Sequence, residues 1–128
     1  MHPGLDLWHA IVKSRDTARL TELLAENVVF HSPVVHTPQA GRAITAKYLE
    51  GALQVLNTPD FKYLASCVEG DLAVLEFETR IDGVVVNGVD IIRFTPDRRR
   101  IVDFKVMIRP LKAINAVHAA MGRVLAKG

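Results

Sequence analysis

The second half of this chain holds four β-type runs in succession, and the breaks between them are short. The runs cover residues 61–68, 72–82, 84–94 and 100–109, and the breaks are Gly70-Asp71, Asp82-Gly83 and Pro96-Asp97. Asp-Gly between two β-rich runs is a strong hairpin signal. Strands joined by hairpins run antiparallel. Residues 61–109 are therefore expected to form an antiparallel meander.

The first half reads differently. Leu7, Trp8, Ile11 and Val12 recur at helical spacing between residues 5 and 14. Asp16 suits the N-cap of a short second helix carrying Leu20, Leu23 and Leu24. Val28 to Ser32 is a short strand stopped by Pro33, and residues 34–41 form a loop. A third helix is expected over about 42–56, with Ile44, Tyr48, Leu49, Ala52 and Val55 inward. After Pro110, the residues Ile114, Val117, Met121 and Leu125 mark a last helix. Helices followed by an antiparallel meander make the chain α+β. A strongly twisted sheet curls, so the expected shape is a cone: a curved antiparallel sheet wrapped around N-terminal helices, with an extra C-terminal helix. Residues 1–128 are expected to form a single domain.

Composition narrows the function classes. Hydrophobic residues make up 49% and charged residues 23%, ordinary for a globular chain. The net charge is +2, and the one basic run, Arg98-Arg99-Arg100, falls at a hairpin turn. Nucleic-acid binding needs a larger basic face interleaved with aromatics, so no nucleic acid is expected as partner. No stretch approaches the roughly 20 apolar residues of a membrane span, and the N-terminus lacks a signal-peptide pattern. Cys67, the single cysteine, lies in an apolar strand and is expected to be a small buried hydrophobe, in keeping with a cytoplasmic location. His and acidic residues do not fall at metal-ligand spacing, and no phosphate loop, nucleophile elbow or dinucleotide fingerprint is present. Neither metal nor cofactor is expected.

Alternation along the strands separates an inner from an outer face. Ala73, Leu75, Phe77, Thr79 and Ile81 share one face, with Glu76, Glu78 and Arg80 on the other. In the last strand Val102, Phe104, Val106 and Ile108 are expected inward, and Asp103, Lys105, Met107 and Arg109 outward. One residue breaks the rule. In Val89-Asp90-Ile91-Ile92-Arg93-Phe94, Asp90 shares a face with Ile92 and Phe94. A carboxylate on an apolar face is costly unless it is hydrogen-bonded or protonated. Desolvation raises a carboxyl pKa, which makes Asp90 a candidate acid or hydrogen-bond donor. Capping a backbone group is the alternative.

Several segments carry a family resemblance: SRDTARLTELLAENVVFHSPV, AGRAITAKYLEGAL, and GVDIIRF followed by RIVDFKVMI. Together they resemble the nuclear-transport-factor-2-like superfamily, and within it the ketosteroid-isomerase and polyketide-cyclase (SnoaL-like) relatives, over roughly residues 5–109. The resemblance implies that Asp90 occupies the place of the isomerases' protonated oxyanion-hole acid. It places Ser32 where their carboxylate base stands and Trp8 where their oxyanion tyrosine stands, so isomerisation through that base is not expected. It also implies that the C-terminal helix is an addition to the isomerase pattern, and that copies pair through the outer face of the sheet as a homodimer.

A cavity of ligand size is expected between sheet and helices, holding a small apolar molecule. Trp8, Phe30, Ser32, Tyr48, Leu75, Phe77, Phe104 and Val106 are its expected walls. His31 and His36 are candidate replacements for the missing base, although alternation sets His31 on the face opposite Ser32. Three functions suit such a site: an isomerase, cyclase or dehydratase with Asp90 as its acid, a non-catalytic binding module, or a dimeric adaptor.

Overall fold

The computed structural model describes residues 2–127. The first half comprises α1 (Pro3–Ser14), a 3-10 turn (Thr17–Arg19), α2 (Leu20–Leu23), β1 (Leu24–His31), β2 (Gln39–Ala40) and α3 (Arg42–Leu56). The second half comprises β3 (Lys62–Glu69), β4 (Leu72–Ile81), β5 (Val84–Phe94), β6 (Ile101–Arg109) and α4 (Leu111–Lys127). The architecture is α+β, with N-terminal helices, a curved open sheet and a C-terminal helix.

The sheet order is β2-β1-β6-β5-β4-β3. The meander pairs antiparallel throughout, as its hairpin turns require. Asp82 and Gly83 both hold positive φ, the conformation of a two-residue hairpin turn whose twist matches its strands. The expectation of a wholly antiparallel sheet is corrected at β1, which lies parallel to β6. No hairpin joins these two strands. A connection that contains α3 and the meander leaves β1 free to run alongside β6 in the same direction.

Local chemistry moves several boundaries. α1 begins at Pro3 rather than Leu5, because proline at the first helical position gives up only an N–H that has no intrahelical partner. His2 Nδ1 accepts the Leu5 N–H at 3.3 Å, and Asp16 accepts the Ala18 N–H at 3.0 Å. The expected second helix shrinks to the 3-10 turn and one helical turn, and β1 starts at Leu24 rather than Val28.

The inner face of the sheet carries Phe30, Leu75, Phe77, Ile92, Phe94 and Phe104, all essentially fully buried. Trp8 and Ile11 of α1 and Leu49 of α3 pack onto this face. Three expectations fail here. Ile44 of α3, expected inward, is exposed, and its neighbour Thr45 is buried instead. Ile101, not Val102, is buried, because a bulge between the Arg93–Asp103 and Phe94–Ile101 pairs shifts the register at that end of β6. Cys67 is exposed, because β3 is an edge strand and Cys67 pairs with Val74 on the outer face of the sheet. Gly88 matters for the site. A Cβ there would collide with the Phe77 ring and come 2.8 Å from the Met107 carbonyl oxygen. Glycine lets the Phe77 ring lie against β5, two residues from Asp90. Among the described residues no helix is long and apolar enough to cross a membrane.

Candidate functional site

Asp90 stands mid-strand in β5, between Leu75 of β4 and Val106 of β6. It is 5% exposed, an acid among apolar neighbours. It accepts no backbone N–H among the described residues, so capping is not its role. Instead the Tyr63 hydroxyl donates to its Oδ2 at 2.9 Å. The Trp8 indole Nε1–H in turn donates to the Tyr63 oxygen at 2.9 Å. α1, β3 and β5 thus contribute one side chain each to a hydrogen-bonded chain. Asp90 Oδ1 makes no hydrogen bond to the described residues.

Burial raises the Asp90 pKa from its ordinary value to about 7, and the Tyr63 hydrogen bond pulls it the other way. The Tyr63 phenol is pushed well above its usual range, first by burial and then by the Asp90 charge. Tyr63 therefore stays a protonated donor while Asp90 titrates.

These side chains border a cavity of about 30 Å³ enclosed by the inner face of the sheet, α1 and α3. That is room for one or two waters. Phe61, Phe77, Phe104 and Val106 wall it from the strands, and Leu49, Ala52 and Leu56 from α3. The ring pairs are tight: Trp8 meets Phe104 edge-on at 4.9 Å, and Phe61 stacks on Phe77 at 5.5 Å. Asp90 and Tyr63 are the only ionisable side chains in its wall. A second cavity of about 20 Å³ adjoins it, lined by Phe30, Ser32, Val106, Val117 and Met121 among others. The expected cavity of ligand size is thus corrected to two small chambers. A wider concavity of about 510 Å³ lies elsewhere, on the open outer face around Val74, Val89 and Met107. It contains no buried acid, so the chemistry belongs to the small chambers.

The structure brings together Asp90, Trp8, Phe77, Phe104 and Val106 at the first chamber, and Phe30, Ser32 and Val106 at the second. It does not bring the rest. Leu75 is fully buried in packing beneath the acid, and Tyr48 stacks on Phe30 at 6.1 Å without lining either chamber. His31 turns to the outer face, where its Nε2 meets Asp103 Oδ1 at 2.9 Å; strand alternation carries it away from Asp90. His36 is exposed in the loop before β2. Among the described residues no group of three or more His, Cys, Asp or Glu could hold a metal ion.

Tyr63 is the functional side chain that sequence reasoning missed. Counted back from the Gly70-Asp71 turn, a regular ladder sets Glu69 opposite Leu72 and would set Tyr63 opposite Glu78, on the outer face. The register instead shifts between Tyr63 and Ala65, and Tyr63 pairs with Phe77 on the inner face. The available signal was Phe61 and Tyr63 two residues apart, an aromatic pair on one face of a strand.

The SnoaL-like domain family matches residues 5–104. The chain belongs to the SnoaL-like family. This SnoaL-like protein is similar in structure to a steroid delta-isomerase from Pseudomonas aeruginosa, with 39% identity and a TM-score of 0.91 over 97% of this chain and 90% of that one. It is also similar to an uncharacterised protein with a cystatin-like fold from Silicibacter pomeroyi DSS-3, with 32% identity and a TM-score of 0.87 over 96% and 85%. At 19% identity and a TM-score of 0.62, over 83% and 88%, the epoxide hydrolase/cyclase-like enzyme SalBIII of salinomycin pyran-ring formation shares the fold alone. No curated protein matches the chain. The SnoaL-like fold therefore has isomerases and cyclases among its relatives, as the sequence resemblance implied.

Proposed function

We propose that this SnoaL-like protein binds a small apolar ketone and catalyses an isomerisation or ring closure with Asp90 as the acid. The observation that carries this reading is the Trp8–Tyr63–Asp90 chain, set in a wall that is otherwise almost wholly apolar. A carboxyl whose pKa is about 7 is matched to proton transfer near neutrality. Protonated Asp90 donates to the substrate oxygen as charge develops there, a water in the chamber takes the proton from the adjacent carbon, and both protons are returned when the product forms. The similarity to a steroid delta-isomerase makes an oxosteroid a reasonable first substrate.

Deuterium uptake from D₂O next to the ketone of an unsaturated 3-oxosteroid tests the chemistry. Wild type is expected to accelerate exchange, and Asp90→Leu to slow it about 100-fold or more. Equal rates in the two proteins would end the proposal. Binding without exchange in wild type supports the second reading, a non-catalytic binder. That reading is favoured by one observation: His31 and His36 both lie away from the chamber, so no imidazole base is at hand.

Pairing of two copies through the outer face belongs to the same proposal. Val85 and Met107 are 41% and 49% exposed there, beside the half-buried Val74 and Val89. Sedimentation equilibrium at micromolar concentration is expected to show a dimer, with Met107→Glu shifting it towards monomer. A monomeric wild type would refute the pairing.

A further inference from the structure

Trp8 is the one member of the Trp8–Tyr63–Asp90 chain that a helix carries. Tyr63 and Asp90 stand on β3 and β5, both laddered to β4, so the sheet sets their separation. Whether the indole reaches the phenol depends on where α1 lies. α1 is tied down on both sides of Trp8. One turn before it, the Gly4 N–H donates to Arg98 O at 2.7 Å. A Cβ on residue 4 would lie 2.7 Å from that same oxygen, so glycine lets the helix come this close. One turn after it, Val12 O accepts from Asn57 Nδ2 at 2.7 Å. Residues 4, 8 and 12 share one face of the helix, each about 6 Å along the axis from the last.

The tie at Val12 joins two elements through one amide. Val12 O is among the last four carbonyls of α1, which have no intrahelical donor. Ile11 O takes the Arg15 N–H at 2.8 Å. The Asp16 N–H, which a longer helix would turn to Val12, goes instead to Ser14 Oγ at 3.2 Å. A carbonyl only accepts, so the NH2 of Asn57 is the group that meets it. Asn57 is itself fixed. It is the C-cap of α3, with its N–H on Leu53 O at 3.0 Å. On either side of it, Leu56 O accepts from Thr79 Oγ1 of β4 at 2.8 Å, and Thr58 Oγ1 meets Thr79 Oγ1 at 2.8 Å. The amide is thus mounted on β4, the strand between Tyr63 and Asp90, and lies in the wall of the Asp90 chamber.

We infer that Asn57 is a positioning residue for the acid: by holding the last turn of α1 to the sheet it sets the Trp8 indole on Tyr63, and through Tyr63 it fixes the hydrogen bond that Asp90 receives. The inference rests on the reading of Asp90 as the acid of the site and deepens it. Burial and the Asp90 charge push the Tyr63 pKa up, and the Trp8 bond pulls it down, which makes the phenol a better donor. A looser α1 weakens the indole bond, and Tyr63 then stabilises ionised Asp90 less well.

Trp8 is the only tryptophan, so its indole N–H gives one resonance in a nitrogen-15 correlation spectrum of the full chain. Asn57→Asp keeps the shape of the side chain, but when ionised it sets a carboxylate against Val12 O and donates nothing. At neutral pH, Asn57→Asp and Asn57→Ala are expected to move the indole resonance upfield and to speed its exchange with solvent about five- to tenfold. Both are expected to raise the titration midpoint of Asp90 by about half a pH unit. Lowering the pH through about 4 to 5 protonates the new acid, which can then donate to Val12 O. In Asn57→Asp the resonance is therefore expected to return to its wild-type position at that pH, and in Asn57→Ala to stay displaced. Val28→Ala, a cavity in β1 away from the chamber, is expected to lower stability and leave both readouts unchanged. A resonance and a midpoint that neither Asn57 variant shifts, or that Val28→Ala shifts equally, would overturn the positioning role. Deuterium uptake into the oxosteroid separates this from the catalytic reading. Uptake that Asp90→Leu abolishes and the Asn57 variants leave intact overturns the positioning role alone. Shifts in both readouts with no uptake in wild type support the positioning role and overturn the catalysis.

Discussion

Wild type is expected to lose stability between about pH 4 and pH 7, by roughly 4 kcal/mol from Asp90 alone, while Asp90→Asn loses almost none of it. Below about pH 4 the acid is protonated in both the folded and unfolded chain and makes no difference. As pH rises from there, the unfolded chain releases its proton into water, whereas the folded chain keeps it, because burial has raised the pKa to about 7. The unfolded state is thereby favoured, and the unfolding free energy falls by up to about 1.4 kcal/mol per pH unit. Above about pH 7 both states are ionised and the loss levels off. His2 and His9, whose pKa values burial lowers, act in the opposite direction over their own range. The difference between wild type and Asp90→Asn isolates the acid. Urea unfolding of both proteins from pH 3.5 to 8 measures it, and parallel curves would show that Asp90 is not a desolvated acid.

Tyr63→Phe is expected to be the most damaging single-atom change at the site, costing roughly 3 kcal/mol at neutral pH. Removing the hydroxyl leaves the buried Trp8 indole N–H without its acceptor and Asp90 without its donor. Each orphaned group costs about 1–3 kcal/mol. The same change removes the hydrogen bond that pulls the Asp90 pKa down, so that pKa should climb further. Carbon-detected titration of Asp90 reads the shift, and chemical denaturation reads the stability. An unchanged pKa with unchanged stability would mean that the two hydrogen bonds are not formed in solution.

Asp90 was legible because alternation is a strong constraint: with Ile92 and Phe94 inward, the acid two residues earlier had to follow. Trp8 was legible from its helical spacing with Ile11. Tyr63 was not, since its orientation depends on one extra residue in an edge strand, and periodicity cannot locate a bulge. The same cause misplaced Val102 at the other end of the meander. His31 could be excluded from alternation alone, but its partner Asp103 could not be named without knowing that β1 runs parallel to β6. The size of the cavity was beyond sequence reasoning altogether. It is set by how the rings of Trp8, Phe61, Phe77 and Phe104 settle against α3 around Asp90, and by how Val117 and Met121 of α4 close the second chamber, a packing outcome rather than a pattern.

The hydrogen-bonded chain has a direction, and that direction decides where a proton can sit. An indole N–H can only give, so Trp8 always occupies one lone pair of the Tyr63 oxygen. Tyr63 must then spend its own proton on Asp90 Oδ2, the one acceptor within its reach. When Asp90 takes up a proton, Oδ2 is already engaged, and reversing the chain would strand the phenol. The proton is steered to Oδ1, the oxygen that none of the described residues claims. Two side chains that never ionise in the working range thus act as a ratchet on one that does, and the acid presents its single mobile hydrogen to whatever occupies the chamber.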